Sequence, residues 1–411
     1  TALIALAFVA FISLGLPDGL LGVAWPGIRE HFGLPLDALG LFLVFMTAGY
    51  MTSSFFSGVL VRALGLGGLL AASSAATALA LLAYSLAPSW WFFVLFALMG
   101  GGGAGAIDAG LNNYIDRNHS ERLMQWLHAS FGVGITMGPI IMTTGISLTG
   151  RWQIGYQVVA AAQMLLALAF LLTRHLWRAP GAGSEAPAGG DPAAVSVAAP
   201  VNNPDANTGA SPGGLPGEAS IWQSVLHLRS LAGMLLFFVY TGAELGVGVW
   251  AYTFLTESRG VDPTTAGLVT GSYWASFTAG RILAGLLSHR LRAERLVSGA
   301  ILLAAAGIVL VWLNISTAVT VAGIALAGFA LAPVFPGLMS DTRNRVDERH
   351  LSNTIGMQIA GAGLGAAVLP AFAGVSARVF GLEAIPPYIL ASLLTLFVLF
   401  VMSHLHGRRS G

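Results

Sequence analysis

The chain has 411 residues, of which 55% are hydrophobic and only 9% are charged. An ordinary soluble domain carries about 25% charged residues, so this composition indicates a membrane protein with several spanning segments. The formal net charge is +1 and there is no cysteine. We therefore expect no nucleic-acid partner, and disulfide and thiol chemistry are excluded.

Apolar runs separated by arginine, proline and glycine clusters predict twelve spanning helices. The first run, from Ala2 to Ile28, is too long for the apolar part of a signal peptide. The predicted fold class is an all-α membrane protein with two six-helix bundles, because a spanning segment must satisfy its own backbone hydrogen bonds. The predicted spans lie near residues 3–28, 38–62, 67–88, 90–115, 123–148, 152–173, 230–256, 264–288, 294–313, 317–340, 351–378 and 384–404.

The arginines predict the orientation of these spans. With the N-terminus inside, the inner segments hold 14 arginines, the outer loops hold 4, and Arg281 lies within a span. The positive-inside rule then places both termini in the cytoplasm. We expect a multi-pass protein of the cell inner (plasma) membrane.

A central segment divides the chain into two similar halves. Residues 179–218 are mostly Ala, Gly, Pro, Ser and Asn without any aromatic residue, which is typical of a flexible cytoplasmic linker. The predicted domains are an N-terminal bundle over 1–178, a linker over 179–220 and a C-terminal bundle over 221–411. Short matches recur at a near-constant offset: Ala97–Gly100 parallels Ala325–Gly328, and Gly132–Gly134 parallels Gly363–Gly365. Two halves of the same topology predict a substrate site between them, near the middle of the membrane.

The stretch from Gly100 to Tyr114 places one carboxylate, Asp108, in an otherwise apolar span. A charge there costs about 2.5–3.5 kcal/mol on insertion scales, which favours a functional role. Gly105, Asp108 and Asn112 share one helix face through steps of three and four residues, and Gly101 continues that face. The glycines allow a neighbouring helix to approach. The face predicts a site for a proton, a cation or a hydroxylated substrate; the alternative is a buried structural hydrogen bond, with Arg281 as the partner.

A second acid, Glu244, lies in the middle of a span, with Tyr240 and Gly248 on the same face. A proton-coupled transporter needs a protonatable carboxyl group in such a place, and a sodium site would use the same residue. We therefore predict cation coupling at Asp108 and Glu244.

A third acid, Asp18, follows Pro17, which we expect to disturb the first helix. Trp25 lies seven residues further on the same face, and an indole beside a carboxylate suits a sugar. The alternative is that Asp18 caps a helix break and Trp25 anchors the span at the membrane interface. The predicted substrate-binding residues are Asp18, Trp25, Asn112, Tyr240 and Trp274. The aromatic residues Tyr273, Trp274 and Trp250 either line a sugar cavity or pack against lipid.

Two basic residues lie near the inner ends of their spans. Arg281 is a candidate for neutralising Asp108 or holding a gate, and the alternative is that it extends to the inner surface. His128 is a candidate proton relay or a structural histidine. Asp341 and Asn344 are expected to join a solvated loop network near the neighbouring arginines.

The motifs around these residues resemble a known transporter family. The run from Gly103 to Asn112, with Asp108 inside it, is similar to span four of the fucose permeases within the major facilitator superfamily. The runs Tyr240–Glu244 and Trp274–Arg281 resemble spans seven and eight of the sodium-dependent glucose transporter-like members. The resemblance implies that Asp108 is the protonatable residue linked to sugar binding. The loop signature of the superfamily is reduced, because Val61 stands where the family has an aspartate.

These observations predict a monomeric secondary transporter that moves a small hydroxylated solute, a sugar, by alternating access with proton or sodium coupling. The alternative on the same fold is a proton-coupled exporter of drugs or amphiphilic compounds. A membrane sensor would need a folded signalling domain, which the linker is too poor in apolar residues to supply. No catalytic, nucleotide-binding or metal-ligand spacing appears in the sequence, so we expect no enzyme activity, no cofactor and no metal, with the solute and the lipid bilayer as partners.

Overall fold

The computed structural model describes residues 2–119, 121–177, 219–287 and 292–407, and it confirms the all-α architecture of twelve helical passes. The predicted linker over residues 179–218 lies outside the described residues. We call the passes spans one to twelve. In the N-terminal half they are Ala2–Phe32, Leu39–Phe55, the later part of Ser57–Ser85, Trp90–Asn118, Glu121–Thr149 and Gln153–Thr173. In the C-terminal half they are Leu228–Thr253, Pro263–Leu287, Ala293–Leu313, Thr317–Leu331 continued by Val334–Ser340, Glu348–Phe380 and Ile385–Gly407.

Eleven of the described helices are long and apolar enough to cross a membrane by length and composition. Span eight, Pro263–Leu287, is outside that set although its 25 residues give sufficient length. Its sequence is rich in serine, threonine and glycine, and it packs between spans five and ten. Neighbouring helices therefore cover much of the span with the most polar sequence.

The boundary between spans two and three lies at Gly65. This glycine has a φ of +71°, which is a backbone conformation that side chains with a Cβ rarely adopt. Before it, the backbone N–H of Phe56 donates to Thr52 O and the N–H of Leu60 donates to Phe56 O, so the helical hydrogen bonds continue past the end of Leu39–Phe55. Span two therefore extends towards Gly65, in agreement with its predicted end near residue 62.

The two halves meet along three pairs of spans. Span one packs against span seven, span two against span eleven, and span five against span eight. Spans three and six pack together in the first half, and spans nine and ten pack together in the second. The interface between the halves is thus lined by spans one, two and five and by spans seven, eight and eleven, which carry most of the predicted site residues.

One end of this interface is closed by ion pairs between the halves. We call it the outer end, and the opposite end, where residues 177 and 219 lie, the inner end. At the outer end Arg29 pairs with Glu257 at 2.7 Å, and Arg378 pairs with Asp37 at 3.2 Å. Each pair joins a residue of the first half to one of the second. The structure is therefore held shut at the outer end.

A buried ion cluster lies at the inner end of the C-terminal half, where the sequence predicted a solvated loop. Asp341 is 4% exposed and Arg345 is 5% exposed. The Asp341 carboxylate lies 3.1 Å from Arg345 Nε and 2.8 Å from Nε2 of His404, at the end of span twelve. Asn344 Nδ2 donates to Asp341 Oδ1 at 3.0 Å. The expectation of a solvated network was wrong for Asp341, because the end of span twelve covers it.

We expect the Asp341→Asn variant to unfold at a lower temperature, with a loss of about 3–5 kcal/mol, because the change leaves Arg345 buried without its counter-charge. Burial alone would raise the pKa of Asp341, but the contacts with His404 and Asn344 and the charge of Arg345 outweigh it and lower the pKa. A lowered carboxyl pKa stabilises the folded state above the unfolded value of about 3.9.

Thermal unfolding of the purified protein across a pH series tests this expectation. The difference in melting temperature between the two proteins should be largest between about pH 4 and 6.5, where Asp341 and its partner His404 both carry their charges in the parent protein. It should shrink as the pH falls below about 4, because the unfolded chain then takes up a proton at this carboxyl group before the native protein does. An Asp116→Asn variant is the matched control, since Asp116 is exposed. Equal melting temperatures at neutral pH would contradict the role assigned to Asp341.

Candidate functional site

Asp108 is held between spans two and four. The hydroxyl of Tyr50 donates a hydrogen bond to the Asp108 carboxylate. From one turn further along span four, Asn112 Nδ2 donates to the other carboxylate oxygen at 3.0 Å. The Asn112 Oδ1 atom is buried and has no hydrogen-bond partner among the described residues. The predicted Asp108–Asn112 face is therefore a polar site with one free acceptor.

Two glycines of span four explain how Tyr50 comes so close. A Cβ on Gly101 would collide with the carbonyl oxygen of Met46. A Cβ on Gly105 would collide with the carbonyl oxygen of Tyr50 itself. Spans two and four thus approach backbone to backbone, as small residues permit in membrane helices.

Asp18 and His128 border the same site from spans one and five. Asp18 lies within electrostatic range of both Asp108 and Tyr50, and its side chain is exposed. Span one runs as one helix from Ala2 to Phe32 through Pro17, so the expected helix break is absent and Asp18 does not cap one. The ring of His128 is also exposed and packs edge-on against Phe11, with centroids 5.5 Å apart.

The C-terminal half contributes a more enclosed acid. Glu244 is 8% exposed and interacts with the hydroxyl of Tyr240. That hydroxyl also donates to the carbonyl oxygen of Leu331 at 3.1 Å, and the Tyr273 hydroxyl donates to the Glu244 carbonyl oxygen at 2.8 Å. Spans seven, eight and ten therefore fix the position of Glu244.

Arg281 interacts electrostatically with ionisable groups of both halves. It lies within electrostatic range of Glu244 and of His128, which in turn lies within range of Asp108. The guanidinium also stacks over Phe277, 4.7 Å from the ring centroid. Arg281 is thus placed between His128 and Glu244, and the hydrogen-bond partners of Asp108 are Tyr50 and Asn112. The result is a row of ionisable groups that crosses from one half to the other: Asp18, Asp108, His128, Arg281 and Glu244.

Such a row can bind and release protons, and its oxygens and amide can hold the hydroxyl groups of a solute. In the described ranges no three His, Asp or Glu side chains converge closely enough to ligate a metal ion. Because Asp18 and Asp108 sit on the N-terminal half and Arg281 on the C-terminal half, any movement of the halves changes the separation of these charges.

The structure does not bring the predicted tryptophans to this row. Trp25 is 0% exposed and packs against Trp90 in the core of the N-terminal half, with ring centroids 6.0 Å apart. Trp274 is 4% exposed and packs on Tyr273 and Phe277. Trp250 is 0% exposed and donates from Nε1 to Pro370 O at 2.9 Å. Other helices enclose these rings, so they do not pack against lipid.

Comparison with known proteins decides the family of this fold. The family model of the Major Facilitator Superfamily matches residues 4–257 and 233–410, which together cover nearly the whole chain. The chain belongs to the major facilitator superfamily. This superfamily is a family of membrane transporters, and its two-bundle architecture is the one described above.

Three similar proteins are distant from this chain in sequence. Bypass of stop codon protein 6 of Saccharomyces cerevisiae is 23% identical over 94% of this chain and 80% of its own length. A bacterial homologue of the human lysosomal transporter Spinster, crystallised inward-facing and occupied, superposes with a TM-score of 0.72 at 14% identity, over 100% of this chain and 97% of its own. FucP in the outward conformation superposes with a TM-score of 0.59 at 14% identity, over 97% of this chain and 98% of its own. At these identities the likeness establishes the fold alone.

We expect Arg281→Met to lower the melting temperature, because it leaves the enclosed Glu244 without its positive neighbour; the cost is about 1–3 kcal/mol. The double variant Arg281→Met with Glu244→Gln should recover most of that loss, since neither side chain then carries a charge. Thermal unfolding in detergent measures both variants, with Arg151→Gln in an exposed outer position as the control. A double variant no more stable than Arg281→Met would show that the two charges do not interact.

Proposed function

We propose that the protein is a secondary active transporter for a small hydroxylated solute, a sugar, and that the solute moves together with a cation, in the first place a proton. The observation that carries the proposal is the row of ionisable groups from Asp18 to Glu244, which joins the two halves at their interface. Ionisable residues within spanning segments typically mark substrate or ion pathways.

The polar groups around Asp108 suit a hydroxylated solute. Carboxylate oxygens of Asp108 and the free Oδ1 of Asn112 accept hydrogen bonds from hydroxyl groups, and the Tyr50 hydroxyl sits on the same carboxylate. Protonation of Asp108 would remove its charge and turn one acceptor oxygen into a hydrogen-bond donor, so that solute and proton affinity depend on each other. Asp108 and Glu244 are the proposed coupling residues, and sodium in place of the proton is an outcome of the test below.

The direction of opening follows from the outer closure. We propose that the arginine-rich inner end faces the cytoplasm of the plasma membrane, in line with the positive-inside rule. The ion pairs Arg29–Glu257 and Asp37–Arg378 then hold an inward-facing state. Asp18 has an exposed side chain, and an inward-facing state would make it accessible from the inner end.

Two further points support a sugar. The run Gly103–Asn112 resembles the fucose permease branch, and FucP shares the fold at a TM-score of 0.59. The resemblance concerns Asp108 and its surroundings, where the structure forms a polar site.

An apolar groove favours the alternative of an exporter of amphiphilic compounds. It lies between spans two and four with a volume of about 500 Å³, and its lining begins at Gly49, next to Tyr50 in the sequence. An amphiphile could place its apolar part there and its polar group at Asp108. The groove is lined by Gly49, Thr52, Ser53, Phe56, Val59, Leu60, Leu98 and Gly102.

Purified protein screened by thermal shift against sugars and lipophilic cations separates the two functions, because a ligand of the folded state raises the melting temperature. A stabilising sugar should then accumulate in proteoliposomes under an imposed pH gradient and not under a sodium gradient. Accumulation driven by a sodium gradient alone would mean that sodium, and not the proton, is the coupling ion. Stabilisation by lipophilic cations, together with the absence of sugar uptake, would reject sugar transport and favour the exporter of amphiphilic compounds.

A further inference from the structure

Large apolar side chains are exposed at the inner end, just before span seven. Residues 221–225 form a short helix whose Ser220 and Gln223 make a reciprocal capping box. Four apolar residues in and after this helix are largely exposed: Ile221 is 67%, Trp222 77%, Leu226 82% and Leu228 73% exposed. Transfer of such a side chain out of water is worth about 1.5–3 kcal/mol. Because four such side chains occur close together in the sequence, this surface favours an apolar environment over water.

The opposite side of this segment is fixed to span eleven. Ser224 is 0% exposed and shares a hydrogen bond of 2.9 Å with Nδ1 of His350. Asn353 Nδ2 donates to Ser224 Oγ at 3.1 Å and to the carbonyl oxygen of Ala219 at 2.8 Å. The backbone N–H of Ala219 donates to Arg349 O at 2.8 Å. The exposed apolar face therefore belongs to a segment whose other side is attached to span eleven by hydrogen bonds.

A second set of contacts attaches the start of span seven to span eleven in the same way. The rings of His227 and His350 stack with centroids 4.3 Å apart and an angle of 5° between their planes. Below them, Ser230 and Thr354 share a hydrogen bond of 2.7 Å. The segment cannot rotate its apolar side chains inward without breaking these contacts.

The position of residues 220–228 indicates that lipid covers their exposed apolar side chains. Leu228 is the first residue of span seven, so the segment lies at the level where the chain enters the membrane. An aromatic residue with aliphatic neighbours at that level is typical of an interfacial anchor, and Arg349 beside it is exposed and complements anionic headgroups. The preceding residues 179–218 contain no aromatic residue, which makes them a poor cover.

We propose that residues 220–228 form an interfacial anchor, in which Ile221, Trp222, Leu226 and Leu228 insert into the lipid leaflet at the inner end. The anchor is independent of the solute and of the coupling ion. Because its other side is bonded to span eleven, it holds spans seven and eleven at a fixed depth. The C-terminal half thus has a fixed contact with the leaflet, against which the N-terminal half moves.

The absence of cysteine makes a direct test practical, since a single introduced cysteine is the only labelling site. A polarity-sensitive fluorophore is attached to Trp222→Cys in the full-length protein, reconstituted in liposomes that contain anionic phospholipid and a spin-labelled phospholipid. Glu348→Cys is the matched control, because Glu348 is exposed at the same inner end. Both variants are first required to keep the melting temperature of the parent protein.

We expect the label at Trp222→Cys to emit at shorter wavelength than the label at Glu348→Cys and to be quenched several-fold more strongly by the spin-labelled lipid. Emission and quenching equal to those of the control would mean that water covers the segment, and would overturn the anchor. Short-wavelength emission without lipid quenching would also overturn it, because another part of the chain would then be the cover.

Discussion

Replacement of Asp108 by asparagine should abolish solute accumulation driven by a pH gradient while leaving equilibrium exchange partly intact. The amide keeps the size of the side chain and can still interact with Tyr50 and Asn112, so that the solute continues to find hydrogen-bond partners. It cannot take up a proton, so binding no longer depends on pH. With one proton per solute, a gradient of two pH units supports about 100-fold accumulation, and the variant should show none of it.

Counterflow and gradient-driven uptake in the same proteoliposomes measure the two properties separately. The matched control is Asp116→Asn, because Asp116 lies on the same helix with an exposed side chain. That variant should accumulate solute like the parent. Concentrative uptake that survives in Asp108→Asn would assign coupling to another residue, and Glu244→Gln is then the next variant to measure.

The sequence predicted the relations that lie within one helix. Asp108 and Asn112 are four residues apart, and helix geometry alone places them on one face. The hydrogen bond between them follows from that spacing. The same holds for the twelve spans, because their length and apolar composition are local properties.

Contacts between helices were not predictable in the same way. Tyr50 lies 58 residues before its partner Asp108, in a span with no other sign of function. The one available signal was its place beside Gly49, at the level where Gly101 and Gly105 permit close approach. The role of Tyr50 could be recognised only by knowing that spans two and four are neighbours. The spacing of residues along the chain does not give that information.

The tryptophans show a second limit. In a membrane protein the lipid-facing side and the packed side of a helix are both apolar, so hydrophobic periodicity does not tell which side a ring occupies. Trp25 shares a face with Asp18 by spacing, yet its ring is enclosed by the N-terminal half. Asp341 shows the converse: its charge suggested solvent, and only the fold reveals that His404 reaches it from the end of the chain.

Loss of the outer ion pairs should shift the protein towards an outward-open state. The double variant Arg29→Gln with Asp37→Asn removes both links between the halves. The side chains of Arg29 and Glu257 are 27% and 30% exposed, and pairs at such exposure contribute up to about 1 kcal/mol each. Losing about 2 kcal/mol in all would change the ratio of outward to inward states by up to about thirtyfold.

Spin labels at Glu30→Cys and Ile315→Cys, one on each half near the outer end, report this shift as a longer distance between them. The pair Arg259–Glu383 provides the control, since it joins two residues of the C-terminal half at 2.7 Å. Glu383→Gln should therefore leave the distance unchanged. The charge exchange Arg29→Glu with Glu257→Arg should restore the short distance that either single change lengthens. If the double variant keeps the short distance, the closure rests on the packing of Gly22 against Val249 and of Gly40 against Ala371, and not on the ion pairs.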